Sequence, residues 1–386
     1  MIPYGKQDLN EADIEAVISV LRSDFLTQGP KVPLFEEYLA EYCGSSYAVA
    51  SNSATSSLHL ACLALELSKE DWLWTSPNSF VASANCGLYC NAKVDFVDID
   101  PLTYNLSTDK LEEKLIQAKK LGKLPKIVIP VHFAGQSCDM IKIKALSDEY
   151  GFSIIEDASH AIGAKYKGKR IGSCQYSDIT VFSFHPVKII TTAEGGVAIT
   201  NSKILEQKIR LLNSHGITRD ETLMNSHSHG PWYYQQILLG LNYRMTDLQA
   251  ALGISQLDRI DDFVSKRHAF KERYDQLLKD LPIILPYQSK DSYSSHHLYP
   301  IKIDISKENN ITRIDVFNKL RRNDIGVNVH YIPIHMQPYY QGLGFKHGDF
   351  PNSEQYYEDA LSLPLFSSMT IEQQDKVVAE LRQSLQ

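Results

Sequence analysis

The sequence predicts an α/β protein with a mostly parallel sheet flanked by helices, followed by a smaller C-terminal α+β domain. Short apolar runs alternate with amphipathic helical stretches through the first half of the chain, as in βαβ units. The apolar runs lack polar alternation, which is typical of strands buried on both faces. The predicted strands are 47–50, 94–97, 127–131, 153–156, 179–184 and 197–200.

The first predicted element is a helix that begins after Asn10, a residue type that caps helix N-termini. Its apolar face is formed by Ile14, Val17, Ile18 and Leu21. Two further helices, at 56–67 and 141–150, lie between predicted strands and complete βαβ units. In such folds ligands bind beyond the carboxyl ends of the strands, so functional residues are expected there.

A long helical pattern from Thr246 to the break at Pro282 is expected to connect two domains. We place the large domain at residues 1–250 and the smaller one at residues 251–386. In the smaller domain the pattern predicts strands at 299–303 and 327–331, a helix at 313–322, and a last helix capped by Thr370 with Gln373 at its third position.

The composition indicates a protein that binds small molecules. The chain has 386 residues, of which 43% are apolar and 22% charged, with a formal net charge of -7. Such a chain has no general attraction for nucleic acid or anionic lipid, so neither is an expected partner. The sequence has no apolar run typical of a signal peptide or membrane span, and its cysteines lack CxxC spacing. We therefore expect a cytoplasmic protein with reduced thiols and no metal site.

Lys188 is the candidate catalytic residue. It follows the predicted strand 179–184 in an apolar setting that includes Val187 and Ile189, where burial lowers the pKa of an amine and makes it nucleophilic. Asp157 ends the preceding predicted strand, where a carboxylate can pair with a protonated pyridine nitrogen. Singly, these residues have ordinary interpretations as a surface lysine and a solvated strand end. Together they predict a Schiff-base site for pyridoxal 5'-phosphate.

The segment 50–57 is the candidate phosphate site, because small and hydroxyl residues stand where a strand ends and a helix begins. Backbone N–H groups near Ala54 and Thr55 would face the phosphate, and the hydroxyl of Ser183 would add a donor. The alternative is an ordinary helix cap. Phe80 is a candidate for stacking on the cofactor ring, with core packing as its alternative.

Five motifs resemble those of one family. They are SNSATSSL at 51–58, EDASH at 156–160, SFHPVK at 183–188, GG at 195–196 and GLNYRMTDLQAA at 240–251. In these motifs the chain resembles the DegT/DnrJ/StrS family of sugar aminotransferases, over essentially its whole length. The resemblance implies a fold-type I aminotransferase with a seven-stranded sheet and pyridoxal phosphate. It also implies an obligate homodimer in which Asn242 reaches the partner's cofactor phosphate. His160 is expected near the cofactor's phenolic oxygen, or else as a structural histidine.

Three narrower segments resemble the members of this family that act in pseudaminic acid biosynthesis. They are VHFAGQSCD at 131–139, SHGI at 214–217, and GPWYY at 230–234 followed by LGLNYRM at 239–245. This resemblance implies amine transfer from L-glutamate to C4 of a UDP-linked 4-keto-6-deoxy-N-acetylhexosamine. The implied substrate-binding residues are Tyr4, Gln7, Thr27, His185, Arg244, His330 and Tyr331. Arg244 is equally well explained by a helix-capping or intersubunit contact.

Other interpretations stay open at the level of sequence. A related enzyme would act on a UDP-4-keto-arabinose, or on a GDP- or dTDP-linked ketohexose at C4 or C3. A binding or regulatory protein is disfavoured by the pair of Asp157 and Lys188, and a nicotinamide oxidoreductase by the lack of GxGxxG after a strand. The family often has Gly where this chain has Ala193, so the turn near Lys188 is expected to be tighter.

Overall fold

The computed structural model describes residues 1–304 and 311–386. Its strands are β1 (Tyr47–Ser51), β2 (Trp72–Thr75), β3 (Lys93–Phe96), β4 (Ile127–Ile129), β5 (Ser153–Asp157), β6 (Lys165–Tyr166), β7 (Lys169–Arg170), β8 (Ile179–Ser183), β9 (Gly196–Thr200), β10 (Ile217–Thr218), β11 (Gln235–Gln236), β12 (Ile283–Ile284), β13 (Ser292–Tyr293), β14 (Tyr299–Ile303) and β15 (Ala360–Leu363). Its helices are α1 (Glu11–Leu21), α2 (Lys31–Cys43), α3 (Ala54–Ala64), α4 (Ala82–Tyr89), α5 (Thr108–Leu121), α6 (Met140–Tyr150), α7 (Lys203–Asn213), α8 (Asp247–Leu257), α9 (Ile260–Leu278), α10 (Arg313–Arg322), α11 (Pro338–Gln341), α12 (Pro351–Asp359) and α13 (Ile371–Ser384).

The central sheet has seven strands in the order β1-β9-β8-β5-β4-β2-β3, which confirms the predicted fold class. Six of these strands run in one direction, and β9 alone is antiparallel to its neighbours β1 and β8. Strand β9 corresponds to the predicted strand 197–200 and is the exception in a mostly parallel sheet. The connection from β8 to β9 contains no helix that could carry the chain back across the sheet, so β9 returns beside β8 in the opposite direction. The short strand β2 was not predicted.

Both faces of the central sheet are buried, as the continuous apolar runs predict. Neighbouring residues of one strand enter different apolar clusters: Ile154 and Phe182 pack in the cluster that contains Phe35 of α2, whereas Ile155 and Val181 pack in the other. Since successive side chains of a strand point to opposite faces, each strand contributes to two cores. The sheet is therefore a rigid support for the residues at its carboxyl edge.

Helices α8 and α9 replace the single long helix predicted after Thr246, with a break at Asp258 and Arg259. Phe263 in the first half of α9 packs in the core below the sheet, and Tyr274 in its second half packs in a third apolar cluster with β14, α10 and α13. Helix α9 thus contacts two cores. The division of the chain at residue 250 stays a prediction.

The predicted strand at 327–331 was wrong. Only Asn328 pairs with β15, through an isolated bridge to Ser362. The backbone N–H of Val329 donates to the side chain of Asn328 at 2.9 Å, and that of Tyr331 donates to the side chain of Asn78 at 3.3 Å. Because side chains accept these donors, no ladder forms, and the segment turns toward the carboxyl edge of the sheet.

Helix α1 begins after Asn10 as predicted, with a capping box between Asn10 and Asp13. Of the predicted apolar face, Val17 and Ile18 are half-buried, whereas Ile14 is 45% exposed and Leu21 is 57% exposed. The helix also buries Asp13, which accepts hydrogen bonds from Gln256 at 2.8 Å and from Ser255 and Arg259. A satisfied polar network therefore docks α1 on α8 and leaves an apolar stripe outside.

In the part of the chain that the structure describes, no helix is long and apolar enough to cross a membrane.

The turn before β9 offers a test of backbone strain. Ala193 has φ of 67°, in the left-handed region where a Cβ atom is unfavourable. We expect Ala193→Gly to raise the free energy of unfolding by about 0.5 to 1 kcal/mol, measured by urea unfolding. The matched control is Ala16→Gly in α1, which should lower stability by about 1 kcal/mol. A loss of stability in both variants would contradict the strain.

Candidate functional site

A cavity of about 560 Å³ opens at the carboxyl ends of the parallel strands, where ligands of α/β proteins bind. Eleven of the residues singled out from the sequence line it: Tyr4, Ala54, Thr55, Phe80, Asp157, His160, Ser183, His185, Lys188, His330 and Tyr331. The sheet topology thus brings together residues that lie far apart in the sequence.

Lys188 lies in the turn that follows β8. Its backbone N–H donates to the carbonyl of His185 at 2.9 Å, and the N–H of Thr192 donates back to Phe184 at 3.0 Å, which closes the turn below the cavity. Ile189 is buried and anchors this turn in the core. The side chain of Lys188 reaches the cavity, where burial lowers the pKa of the amine to about 8 and the negative charge of Asp157 partly opposes the shift. About a tenth of the amine is therefore neutral and nucleophilic at pH 7, far more than for an ordinary lysine.

Asp157 is the last residue of β5, and two backbone hydrogen bonds tie it to the segment that follows β4. Its N–H donates to Pro130 at 3.0 Å, and its carbonyl accepts from His132 at 3.1 Å. The carboxylate is 4% exposed and accepts hydrogen bonds from the hydroxyl of Ser83 at 2.6 Å and the backbone N–H of Ser159 at 3.1 Å. These two bonds leave acceptor capacity on a fixed carboxylate, which suits a cationic ring N–H.

The N-terminus of α3 forms one side of the same cavity. Ser53 caps the helix by accepting from the N–H of Ser56 at 3.1 Å, so the N–H groups of Ala54 and Thr55 stand in the first turn, where no helical carbonyl is available. Gly196 lies directly against this turn, and a Cβ atom there would be only 2.4 Å from the nitrogen of Ala54. The glycine lets the helix start approach β9, and Ala54 and Thr55 line the cavity.

These features fit pyridoxal phosphate. The helix N-terminus suits a phosphate, the fixed carboxylate of Asp157 suits a pyridinium, and the amine of Lys188 suits an aldehyde. Phe80 is 60% exposed and lines the cavity, with its ring centre 6.4 Å from that of Tyr331, so it is not a core residue. It is available to stack on an aromatic ligand.

His160 already has a partner at each ring nitrogen. The N–H of Ala134 donates to Nδ1 at 3.3 Å, and Nε2 lies 3.0 Å from the hydroxyl of Tyr331. Burial, with the positive charge of Lys188 and the neighbouring His330, holds the pKa of His160 well below its usual value. The imidazole is therefore neutral. The expected contact with a phenolic oxygen of the cofactor stays a prediction.

Four residues singled out from the sequence do not line this cavity. Gln7 and Asn242 are exposed, Thr27 pairs with Thr246 in an isolated bridge, and Arg244 donates to the hydroxyl of Ser214 at 3.0 Å. Their roles in ligand binding stay predictions.

Several residues of the site were not identified from the sequence. Ser83 donates to Asp157 and also contacts Ser79 at 2.7 Å, while Asn328 lines the opposite wall. The spacing of Ser79 and Ser83 on one face near the start of α4 was a weak signal for the first. No local sequence pattern indicates Asn328, because it reaches the cavity through the irregular path of 327–331, which was predicted as a strand.

The chain is similar to known aminotransferases over nearly its whole length. The profile of the DegT/DnrJ/EryC1/StrS aminotransferase family matches residues 7–382. The chain is 39% identical over 373 residues to UDP-4-amino-4,6-dideoxy-N-acetyl-beta-L-altrosamine transaminase of Campylobacter jejuni, covering 96% of this chain and 94% of that protein. It is 39% identical over 384 residues to spore coat polysaccharide biosynthesis protein SpsC of Bacillus subtilis, covering 99% and 96%. Among solved structures, Helicobacter pylori PseC, an aminotransferase involved in pseudoaminic acid biosynthesis, superposes with a TM-score of 0.88 at 31% identity, covering 100% and 99% of the two chains.

The lowered pKa of Lys188 has a measurable consequence. In protein without cofactor, the rate at which Lys188 combines with pyridoxal phosphate should rise with pH through about 8 and then level off, because only the neutral amine attacks. Asp157→Asn removes the charge that raises this pKa, so its midpoint should fall below 8. Stopped-flow absorbance measures both rates, with Asp157→Glu as the charge-retaining control. A midpoint near the ordinary lysine value of 10.5 would contradict the burial of the amine.

Proposed function

The chain belongs to the DegT/DnrJ/EryC1/StrS aminotransferase family, and from that premise we propose that it transfers an amino group from L-glutamate to C4 of a UDP-linked 4-keto-6-deoxy-N-acetylhexosamine, with pyridoxal phosphate as cofactor. The product would be UDP-4-amino-4,6-dideoxy-N-acetyl-β-L-altrosamine. The observation that carries the proposal is the meeting of Lys188, Asp157 and the N-terminus of α3 in one cavity. An amine, a carboxylate and an anion site in that arrangement are the groups that pyridoxal phosphate chemistry requires.

Lys188 has two tasks in this proposal. Its neutral amine would hold the cofactor through the aldehyde carbon, and once the donor amine has freed it, the same nitrogen would take a proton from the α-carbon of glutamate. A pKa near 8 suits both tasks, because the group then exchanges protons readily at neutral pH. When bound, pyridoxal phosphate supplies the electron sink that makes this α-carbon acidic.

The other residues of the site would bind and orient the cofactor. Asp157 would keep a proton on the ring nitrogen, and Ser83 holds the carboxylate in place through its 2.6 Å hydrogen bond. The N–H groups of Ala54 and Thr55, with the hydroxyl of Ser183, would bind the phosphate dianion at the positive end of α3. Phe80 would cover the ring face and exclude water.

The proposed sugar rests on the similarity of this chain to named relatives. A relative named as a UDP-4-amino-4,6-dideoxy-N-acetyl-beta-L-altrosamine transaminase supports the proposed substrate. A relative of equal identity is named for spore coat polysaccharide biosynthesis, which favours as second candidate another nucleotide-sugar aminotransferase acting at C4 or C3. That candidate would use a UDP-4-keto-arabinose or a GDP- or dTDP-linked ketohexose, with the same cofactor and lysine.

A homodimer with shared active sites is also part of the proposal. The apolar stripe of α1 continues through Leu26, which is 48% exposed, and the adjacent Thr27 lies beside Thr246, close in sequence to Asn242. An apolar surface of this kind is typical of an interface. A partner docked there would cover the stripe and receive Asn242 near its cofactor phosphate, which explains why Asn242 is exposed in a single chain.

The reaction is tested by incubating the purified protein with pyridoxal phosphate, L-glutamate and a panel of UDP-, GDP- and dTDP-ketosugars. We expect 2-oxoglutarate and one amino sugar nucleotide, detected by mass spectrometry, with the UDP-4-keto-6-deoxy-N-acetylhexosamine as best substrate. Lys188→Ala should lower the rate by about 10³-fold or more, because both proton transfer and cofactor attachment are lost. Lys188→Arg keeps the charge and should be equally inactive. Turnover in either variant would refute the role of the lysine.

Shared sites predict complementation between inactive subunits. Lys188→Ala and Asn242→Asp homodimers should each be nearly inactive, the second because a carboxylate would repel the phosphate. Mixing the two under conditions of subunit exchange should restore activity, since one site of each heterodimer then has both native residues. Activity assays after mixing, with sedimentation to confirm a dimer, provide the measurement. Sites made from one chain would give no recovery.

A further inference from the structure

The hydrogen bond between His160 and Tyr331 has a fixed direction. A backbone N–H can only donate, so the bond from Ala134 to Nδ1 of His160 requires a lone pair at that nitrogen. In a neutral imidazole the proton then resides on Nε2, which donates to the hydroxyl oxygen of Tyr331 at 3.0 Å. Tyr331 is therefore an acceptor toward His160, and its own proton is free for a partner on the cavity side.

The hydroxyl of Tyr4, which also lines the cavity, has its hydrogen-bond direction fixed by a similar argument. The side-chain oxygen of Asn328 accepts from the N–H of Val329 at 2.9 Å, which orients its NH₂ group toward Nε2 of His330 at 3.3 Å and toward the hydroxyl of Tyr4. Since the amide nitrogen is a donor, Tyr4 accepts from it and keeps its own proton for another partner. His330 in turn donates from Nδ1 to Ser362 at 2.9 Å.

This wall carries no charge at neutral pH. Burial lowers the pKa of His330 to about 3, with a further contribution from the charge of Lys188. Burial raises the pKa of Tyr331, as do neighbouring Tyr4 and Asp157, and it raises the pKa of Tyr4 despite the hydrogen bond from Asn328. The wall therefore presents aromatic rings and two O–H donors but no cation. A diphosphate requires cationic or multiple N–H partners, whereas a sugar ring requires aromatic surface and neutral donors to its oxygens.

We propose that the wall formed by Tyr4, Asn328, His330 and Tyr331 binds the sugar ring of the substrate rather than its diphosphate, and that Tyr331 donates a hydrogen bond to an oxygen of that ring. The assignment rests on the proposed function, because a ketosugar must be the amino acceptor. It adds that the two half-reactions use different contacts. The hydroxyl of Tyr331 binds the sugar in one half-reaction, and it is not needed for the reaction with the donor amino acid in the other.

The test separates the two half-reactions of Tyr331→Phe, which keeps the ring against Phe80 and Phe133 and removes the O–H, including its role as acceptor for Nε2 of His160. The pyridoxamine form is reacted with the UDP-4-keto-6-deoxy-N-acetylhexosamine and the pyridoxal form with glutamate. We expect kcat/KM for the sugar to fall on the order of tenfold or more, and the glutamate half-reaction to stay within about twofold. Equal losses in both, or no loss for the sugar, would overturn the assignment.

Tyr356→Phe is the matched control. Tyr356 is buried near Tyr331, its ring packs edge-on against Phe133, and its hydroxyl has no hydrogen-bond partner in the described part of the chain. Removing this O–H should leave both half-reactions unchanged. A sugar-specific loss in this variant would mean that any tyrosine change nearby disturbs the wall, which would overturn the role of Tyr331.

A pH titration decides between the sugar and the cofactor as partner of the Tyr331 hydroxyl. The visible absorbance of the bound cofactor should titrate in the same way in Tyr331→Phe and wild type, whereas a shift would assign the O–H to the cofactor and refute the proposal.

NMR tests the direction of the hydrogen bond between His160 and Tyr331. Nitrogen-15 spectra of histidine-labelled protein, assigned with His160→Gln, should show Nε2 protonated and Nδ1 not, and the reverse tautomer would refute this direction. Wild-type protein that aminates none of the ketosugars would instead refute the proposed function, while the NMR result would still stand.

Discussion

The electrostatic interaction between Asp157 and Lys188 is the constraint around which the site is arranged. Burial lowers the pKa of the Lys188 amine. The negative charge of Asp157, one strand away, stabilises the protonated amine and raises this pKa in part. Asp157 ends β5 and Lys188 lies in the turn after β8; these two strands are paired in parallel, so their carboxyl ends lie side by side. The sheet therefore fixes Asp157, and the backbone hydrogen bonds that close the turn fix Lys188.

The carboxylate next to Asp157 in the sequence, that of Glu156, lies on the opposite face of the sheet. Glu156 precedes it in β5 and points to the other face of the sheet, where it lies 2.6 Å from Nε2 of His132 and accepts a hydrogen bond from Thr180 at 3.0 Å. Alternation along the strand thus separates two adjacent carboxylates. One is satisfied within the core, and the other is left with acceptor capacity toward the cavity.

The cavity combines two kinds of wall. The side made by β5, β8 and the start of α3 carries charge and free N–H groups, which suits an anionic cofactor. The side made by Tyr4 and the segment 328–331 is neutral and aromatic, with hydroxyl protons available to a ligand. In the proposed reaction, this division would let one site take a charged amino acid and a neutral sugar ring in turn.

The sequence by itself determined the α/β class and most strands of the sheet, and it singled out Lys188, Asp157 and the start of α3, which line one cavity, because apolar runs, caps and residue types are local signals. Only the tertiary structure decided the direction of β9, the outward apolar stripe of α1 and the irregular path of 327–331. Those depend on what packs beside them: a helix-free connection after β8, buried partners for Asp13, and side chains that accept backbone N–H groups. The direction of the hydrogen bond from His160 to Tyr331 likewise required the position of Ala134, whose backbone N–H fixes the tautomer, and no pattern in the sequence carries that information.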